Sequence, residues 1–487
     1  MIKFGWVVGV LAALLGLSGC GGGDSSSTVY HGLNSLGQSP SVSLPFTQSA
    51  NNIPVAVQAG ISSGFSLGPN PNLLFATVTV CAPGSTTQCQ TINNIQVDTG
   101  SVGLRIMASQ LSALNLPIQS VANGNGALTP VWECYGFVIG GFWGTVAVAD
   151  ISLGPLSASA VPIQLIQDDQ SANALQATND CYTTGATGQI LNSPAALGAN
   201  GILGIGNVTI DCGLTCVNNS YAANATYIQY YTCPAGTADP TQCAAAPSVP
   251  YNYQVSNPVA ALPAGYNNGV VISLPAVTGV GAGSASGELI FGINTPNAPA
   301  NASNNQLGTV QPVALGTNYT GNINSYLSVT TNYQGSAYQN SYLDTGSNGY
   351  FFNDTTLAQC GGATGFSAST NWYCPGTTQQ KTAIVSDGDN PALDQISVAF
   401  SVANADSLFL TNNAAFGNLA GTNAPPVSTQ TNPNPPSTFV WGLPFFYGKR
   451  VYLSIWDLSG NVTSWPTSWP GTSAGPWPGP WYAWTLI

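Results

Sequence analysis

One four-residue sequence occurs twice in this chain of 487 residues, and it constrains the fold more than any other feature. Residues 98–101 and residues 344–347 both have the sequence Asp-Thr-Gly-Ser. In each copy an apolar run ends at the acid and a glycine-containing turn begins, so each carboxylate is predicted to lie on a tight loop at the end of a strand. Either copy alone is also typical of a simple surface turn. The two copies together predict two lobes that face each other.

The similarity between the two halves extends beyond these loops. A second glycine follows each copy, at Gly103 and Gly349, and an apolar pair comes next. Further along each half, an apolar segment ends in glycine, at residues 201–204 (Gly-Ile-Leu-Gly) and 439–442 (Phe-Val-Trp-Gly). Sequence motifs repeated in the same order indicate a degenerate duplication of a whole lobe.

Composition favours strands and excludes some partners. Only 5% of the residues are charged, whereas glycine and aromatic residues are abundant, which is typical of a mostly β protein. The formal charge of −12 arises from 17 acidic and five basic residues. A chain this acidic is not expected to bind nucleic acid or an anionic membrane surface electrostatically.

The N-terminus has the features of a bacterial lipoprotein signal. Lys3 precedes an apolar run that ends in Leu-Ser-Gly-Cys at Cys20, and this run is too short for a good membrane span. We expect residues 1–19 to be removed, Cys20 to be lipidated and residues 20–50 to form a flexible tether. Gly21 after the cysteine favours the outer membrane, on its periplasmic or exterior side. An ordinary signal peptide with an incidental cysteine is the alternative.

The remaining ten cysteines are predicted to be mostly disulfide-bonded, because the chain is expected to be exported. Proximity in sequence suggests these pairs: Cys81 with Cys89, Cys212 with Cys216, Cys233 with Cys243, Cys360 with Cys374, and Cys134 with Cys181. A metal site is less favoured, because no Cys-x-x-Cys pair occurs and no histidine could complete one. No metal or cofactor is therefore expected.

Changes in composition suggest the order of the domains. The N-terminal lobe is predicted to span 51–306 and to contain an irregular, disulfide-rich insertion at about 207–286. The C-terminal lobe is predicted over 307–464. Residues 465–487 form a Trp- and Pro-rich tail, in which proline disfavours a regular strand up to Trp484. This tail would lie against the domain or stack on sugars or a partner.

The residue types available exclude most hydrolytic chemistries. Catalytic triads and zinc hydrolases need histidine, and the single histidine, His31, lies in the tether. Beyond the signal, lysine occurs only at Lys381 and Lys449. Paired carboxylates remain: two acids held close together share one proton, so the ionised acid can activate a water while the protonated acid donates to a carbonyl oxygen. Such a pair predicts activity at acid pH.

The order of these motifs resembles the pepsin-like aspartic proteases. The matching segments are residues 97–101, 135–136, 201–204, 289–294, 343–347 and 440–457. The resemblance covers roughly residues 70 to 460, is specific in its motifs and is weak between them. It implies a bilobal, double-psi β-barrel architecture. The form Asp-Thr-Gly-Ser-x-Gly-Leu-Arg is also similar to an uncharacterised family of bacterial lipoproteins.

The resemblance implies a role for each matching residue. Asp98 and Asp344 would hold the catalytic water of an aspartic-type endopeptidase that cuts a polypeptide substrate. The supporting residues would be Thr99 and Thr345, which cross-link the loops, Ser101 and Ser347, which bond the outer carboxylate oxygens, Gly100 and Gly346, which allow close approach, and Tyr135 with Gly136, which form a flap. The protein is expected to be a monomer.

One residue departs from the family pattern. Pepsin-like enzymes usually carry a tryptophan seven residues after the first acid, where it holds the flap tyrosine, but this chain has Arg105. A buried arginine needs a partner, and Glu133 beside the flap is one candidate. If Arg105 instead reached the two acids, it would keep both ionised and impair catalysis. Two alternatives stay open: an inactive protein that binds peptide or glycan, which Arg105 favours, and a purely structural surface protein, which the low charge and the richness in Asn and Thr favour.

Overall fold

The computed structural model describes most of the chain. The described residues are 38–61, 70–123, 125–137, 140–168, 190–217, 228–236, 242–246, 248–295, 302–316, 327–361, 371–422, 438–456 and 480–487. The signal segment, Cys20, His31, Cys181 and most of the Trp/Pro-rich tail lie outside these ranges. Within them, no helix is both long enough and apolar enough to cross a membrane.

Strands dominate the structure. They are β1 Val42–Ser43, β2 Asn52–Gln58, β3 Leu73–Cys81, β4 Cys89–Asp98, β5 Val102–Met107, β6 Ser120–Ala122, β7 Leu128–Phe137, β8 Gly140–Leu153, β9 Leu156–Ile166, β10 Gly201–Ile205, β11 Ile228–Thr232, β12 Ala244–Ala245, β13 Gly269–Leu274, β14 Ala285–Phe291, β15 Val313–Ala314, β16 Val329–Tyr333, β17 Ser336–Asp344, β18 Tyr350–Phe351, β19 Gln379–Ser386, β20 Ile396–Val402, β21 Ala420–Gly421, β22 Val440–Gly442, β23 Lys449–Ser454 and β24 Trp481–Leu486. The helices are α1 Pro194–Leu197, α2 Leu214–Val217 and α3 Ala405–Phe409, with 3-10 turns at Ala108–Leu111, Tyr251–Tyr253 and Leu443–Phe446.

The strands form two sheets. One sheet contains β1–β15, β23 and β24, and the other contains β16–β22. Alternating burial along β20, with Val398, Phe400 and Val402 inside, is what a strand with one solvated face requires. The predicted fold class is confirmed in that the chain is mostly β and contains disulfides.

A run of antiparallel strands links the two ends of the chain. Its order is β2, β14, β13, β23, β24 and β15. Strand β13 lies in the range predicted as insertion, yet all its residues are buried between β14 and β23. Strand β24 overlaps the tail in which proline was expected to prevent regular pairing. That expectation is wrong for residues 481–486, because no proline follows Pro480 and every backbone N–H is available to β23.

Each half of the chain contains one ψ-shaped motif that ends at an acid. In the first, β10 lies between β4 and β5, parallel to β4 and antiparallel to β5, with Gly204 in register with Asp98. In the second, β22 lies parallel to β17 and antiparallel to β18, with Gly442 in register with Asp344. The glycine that ends each apolar repeat segment therefore lies directly beside an acid loop. A Cβ at Gly442 would stand 2.0 Å from the carbonyl oxygen of Gly349, so no larger residue fits.

The range predicted as an insertion adds a strand beside β7. Strand β11 pairs antiparallel with β7 and with β12. Disulfides Cys212–Cys216 and Cys233–Cys243 lie in this region, and Cys81–Cys89 and Cys360–Cys374 lie outside it. These four pairs confirm the pairing expected from proximity. Cys134 is also disulfide-bonded, and Cys181, its predicted partner, lies outside the described residues.

The largest apolar core lies beneath both acid loops. Leu203 and Leu343 are at most 1% exposed and belong to one cluster that includes residues from both halves of the chain. In the second half, the rings of Phe439 and Trp441 stack with centroids 4.4 Å apart. Each such side chain contributes about 1.5–3 kcal/mol when fully buried. The strand ends that carry the two acids are therefore anchored in a well-packed core.

Candidate active site

The structure brings Asp98 and Asp344 together. Asp98 is the last residue of β4 and Asp344 the last residue of β17, and the two are 5% and 8% exposed. A Cβ at Gly346 would stand 2.5 Å from Oδ1 of Asp98 and 3.0 Å from Oδ1 of Asp344, so one point of the site lies against both carboxyl groups. Two carboxyl groups this close disfavour ionisation of both. The pair is therefore arranged to share a proton.

The two carboxyl groups have matching supports. Gly100 N–H donates to Oδ1 of Asp98 and Ser101 Oγ donates to Oδ2, at 2.8 and 2.5 Å. In the second loop, Gly346 N–H and Ser347 Oγ donate to Oδ1 and Oδ2 of Asp344 at the same distances. Each serine and each glycine thus takes the same place in its own loop. These four donors fix the orientation of both carboxyl planes.

The two threonines join the loops to each other. Thr99 Oγ1 donates to the carbonyl oxygen of Leu343 at 2.9 Å and accepts from the N–H of Thr345 at 3.0 Å. Thr345 Oγ1 donates to the carbonyl oxygen of Val97 at 2.7 Å and accepts from the N–H of Thr99 at 3.1 Å. Both threonines are at most 3% exposed. Four buried bonds therefore set the separation of the two acids.

Glycine is required where the carboxyl groups approach the opposite loop. A Cβ at Gly100 would stand 2.6 Å from Oδ1 of Asp344, and a Cβ at Gly346 would stand 2.5 Å from Oδ1 of Asp98. Both distances are too short for any side chain, so only glycine allows the acids to meet.

Burial changes the acidity of the pair. Desolvation, the nearby charge of Asp344 and the hydrogen bond from Asp344 raise the pKa of Asp98 to about 8, against the opposing effect of Ser101 and Gly100. Two acids in contact cannot both ionise cheaply, so one keeps its proton well above the pH at which an isolated aspartic acid loses it.

The predicted flap tyrosine lies near this pair. Tyr135 is on β7, opposite Phe142 of β8, and Gly136 is opposite Gly141. Residues 138 and 139, between these strands, lie outside the described residues. Tyr135 is 7% exposed, and it is near enough for the charge of Asp98 to contribute to raising the pKa of its phenol, an effect in which burial dominates.

Arg105 does not contact the acid pair in this structure. Its Nη2 donates to Oε1 of Glu133 and to Oδ2 of Asp211, both at 2.7 Å, and all three residues are at most 1% exposed. Glu133 is the partner considered from the sequence, whereas Asp211 was not anticipated. Burial and the adjacent Glu133 raise the pKa of Asp211 well above its usual value, so this carboxyl favours its neutral form.

Two further supports were also missed in the sequence. Burial raises the pKa of the Tyr482 phenol, on β24, against the opposing effect of a backbone hydrogen bond at Leu343, immediately before the second acid. Asn72 donates through Nδ2 to the carbonyl oxygens of Asn348 and Phe416. No local pattern marks either residue, because each partner lies far away along the chain.

The described residues contain one group of potential metal ligands, formed by Cys360, Cys374 and Asp406. The two cysteines form a disulfide, so neither offers a thiolate. Cys20, the predicted lipidation site, lies outside the described part of the chain.

Comparison with known proteins gives a family without an assigned activity. A family model described as "Protein of unknown function (DUF3443)" matches residues 47–469. No curated protein matches the sequence. Among solved structures, the chain is similar to an aspartic proteinase from Irpex lacteus, with 15% sequence identity, coverage of 82% of this chain and 93% of that one, and a TM-score of 0.37.

Proposed function

The chain belongs to the DUF3443 family of proteins of unknown function, and we propose that this member is an aspartic-type endopeptidase. One observation carries the proposal: two carboxyl groups from separate strand ends meet across the two loops, and each is held by an equivalent serine and glycine. A surface turn or a purely structural acid needs no such duplication. The pair has the constellation that water activation requires.

The proposed reaction uses the shared proton. With one proton on the pair, the ionised carboxyl accepts a proton from a water molecule as the water attacks the peptide carbonyl carbon. The protonated carboxyl donates its proton to the carbonyl oxygen, which gives a tetrahedral intermediate. Collapse of the intermediate breaks the C–N bond: the leaving nitrogen takes the proton held by one carboxyl, and a hydroxyl of the intermediate returns its proton to the other, so the pair again holds one proton. Because the pair titrates as a unit, the two roles are shared between Asp98 and Asp344.

The pH range of activity follows from the raised pKa of Asp98. The singly protonated pair persists from acid pH toward the neutral range, because burial and the neighbouring carboxylate oppose loss of the last proton. Activity is therefore expected at acid pH and is expected to extend toward neutral pH. It should disappear once the pair is fully ionised.

The supporting experiment is cleavage of an unfolded protein substrate by the purified protein, followed by gel electrophoresis and mass spectrometry of the fragments. Asp98→Asn and Asp344→Asn should each abolish cleavage, and a statine-type inhibitor should block it. Asp354→Asn is the matched control, since Asp354 is also a buried acid (5% exposed) but bonds Tyr333 and Lys381. Equal cleavage by Asp98→Asn would refute the proposal. A wild-type protein that binds the peptide without cutting it would indicate an inactive binding protein.

We also propose that the enzyme acts as a monomer on the bacterial envelope, anchored through Cys20. The sequence around Cys20 supports this location, and the neutral-to-acid activity range suits an extracytoplasmic site. Cys20→Ala should release the protein from the membrane fraction of the cells that produce it. Retention of the variant in the outer membrane would contradict the anchor.

A further inference from the structure

The flap strand of this protein has neighbours on both edges. Strand β8 pairs with one edge of β7, and β11 of the insertion pairs with the other, from Ile228 opposite Tyr135 to Thr232 opposite Val131. Tyr135 therefore lies on a strand that is paired along both edges within the larger sheet. A strand paired on both edges leaves fewer backbone N–H and C=O groups unpaired than a strand with a free edge. The backbone of the flap is held in place by the insertion.

The guanidinium of Arg105 lies underneath this strand and is fixed at three points. Nη1 donates to the carbonyl oxygen of Val102 at 2.5 Å, and Nη2 donates to both Glu133 and Asp211. The side chain is fully buried. A planar guanidinium with bonds in three directions cannot rotate without breaking one of them.

The face of this guanidinium contacts the flap tyrosine. Cζ of Arg105 lies 3.6 Å from the centroid of the Tyr135 ring. A cation over an aromatic ring is attracted by the electron-rich face, and the attraction is larger when water is excluded. Glu133 and Tyr135 are alternate residues of β7, so their side chains point to the same side of the strand. The guanidinium of Arg105 therefore contacts β7 at two residues, Glu133 and Tyr135.

The same network reaches the insertion. The hydroxyl of Tyr230, on β11, donates to Oδ1 of Asp211 at 2.9 Å and accepts from the N–H of Val255 at 2.7 Å. Tyr230 is fully buried. The arginine is thus linked through Asp211 to the strand that covers the second edge of the flap. Strands β5, β7 and β11 meet at one buried hydrogen-bonded network around Arg105.

We propose that Arg105 is a positioning residue for the proposed peptidase: held by Glu133 and Asp211, it places the Tyr135 ring beside the acid pair. This inference rests on the proposed function for its catalytic consequence. The geometry that motivates it, a guanidinium held by three hydrogen bonds and stacked on the flap ring, does not depend on that function. A purely structural ion pair would stabilise the lobe without acting through Tyr135.

A double-mutant cycle distinguishes these two roles. The variants are Arg105→Met, Tyr135→Leu and the double variant, and two quantities are measured on each: kcat/KM for a peptide, and hydrogen exchange of the backbone amides of residues 131–137. Arg105→Met is expected to lower kcat/KM by about tenfold and to speed local exchange by a similar factor. In the Tyr135→Leu background, the same substitution should have little further effect on kcat/KM, and its effect on exchange at residues 135–137 should be smaller than in the wild-type background.

Arg450→Met is the matched control, because Arg450 is the other arginine of the chain and lies on β23, away from the flap strand. It should leave exchange at 131–137 unchanged. Additive effects of Arg105→Met and Tyr135→Leu would overturn the proposal, as would wild-type exchange in folded Arg105→Met. If Arg105→Met does not fold, the same cycle is made with Arg105→Lys, which keeps the charge but cannot make all three bonds. Absence of cleavage in every variant would refute the peptidase function alone, since the exchange data still decide the role of Arg105.

Discussion

Replacing Asp98 by asparagine should stabilise the protein at neutral pH while abolishing its proposed activity. Asparagine has nearly the same shape as aspartic acid and carries no charge, so it removes the cost of ionising a buried acid beside a second carboxylate. The pKa of Asp98 is raised from 3.8 to about 8, chiefly by desolvation and by the charge of Asp344. Ionisation of Asp98 therefore costs more free energy in the folded protein than in the unfolded chain.

The sign and size of the effect follow from linkage. A group whose pKa is raised on folding contributes stability that is fully present below its unfolded pKa and is lost as pH rises through its folded pKa. The wild-type protein should therefore lose stability between about pH 4 and pH 8, by at most about 5 kcal/mol, since each pKa unit corresponds to about 1.4 kcal/mol. Asp98→Asn removes this dependence of stability on pH. The two proteins should be similar at pH 4, and the variant should be more stable at pH 8.

The assay is denaturant-induced unfolding at pH 4, 6 and 8, with the free energy of unfolding compared at each pH. Asp354→Asn is the control of opposite sign. Burial tends to raise the pKa of Asp354, but hydrogen bonds from Thr356, Tyr333 and Lys381 outweigh it and lower the pKa to about 2. Asp354→Asn should therefore destabilise the protein above about pH 4, with a cost that shrinks as pH falls through 2. An Asp98→Asn variant that is no more stable than wild type at pH 8 would refute the reasoning.

Three further substitutions test the supports of the acid pair. Thr99→Val should lower the free energy of unfolding by about 2–3 kcal/mol, because it leaves a buried N–H and a buried carbonyl without partners. Thr99→Ser should restore most of this stability. A valine variant as stable as the wild-type protein would contradict the account. Gly346→Ala should abolish cleavage, since its Cβ would stand 2.5 Å from Oδ1 of Asp98; an active alanine variant in a peptide assay would show that the pair is spaced differently. Tyr482→Phe should lower the unfolding free energy by about 1 kcal/mol through loss of its bond to Leu343, and an unchanged melting temperature would argue against that bond.

The acid loops could be predicted from the sequence because their signal is local. An apolar strand, an acid and a glycine turn lie within a few residues, and the second copy shows that the pattern is not accidental. Four disulfide pairs were also predictable, because each closes a short loop: the longest separation among them is 14 residues. Proximity in sequence is then a good guide to proximity in space.

Long-range partners could not be predicted. Asp211 reaches Arg105 across a separation of 106 residues, and nothing around Asp211 distinguishes it from a surface acid. Strand β13 looked irregular because asparagine, proline and tyrosine surround it, although its six residues are all buried. Its place is set by β14 and β23, which approach from different parts of the chain. Pairing between distant segments leaves little trace in either segment alone.

The role of Arg105 shows the same limit. Its departure from the tryptophan of pepsin-like enzymes was visible in the sequence and raised the possibility of an inactive protein. The sequence alone could not show which carboxylate the guanidinium would bind. In the structure it bonds Glu133 and Asp211 rather than the acid pair. The objection to catalysis drawn from Arg105 therefore loses its physical basis.

The pH dependence of kcat/KM for peptide cleavage tests the central claim most directly. A pair that works with one proton should give a bell-shaped profile, falling at low pH when both acids are protonated and at high pH when both are ionised, with the upper limb near the raised pKa of Asp98, about 8. Asp98→Asn and Asp344→Asn should each give no measurable rate at any pH. A rate that rises steadily into the alkaline range, or an equal rate in either variant, would contradict the account.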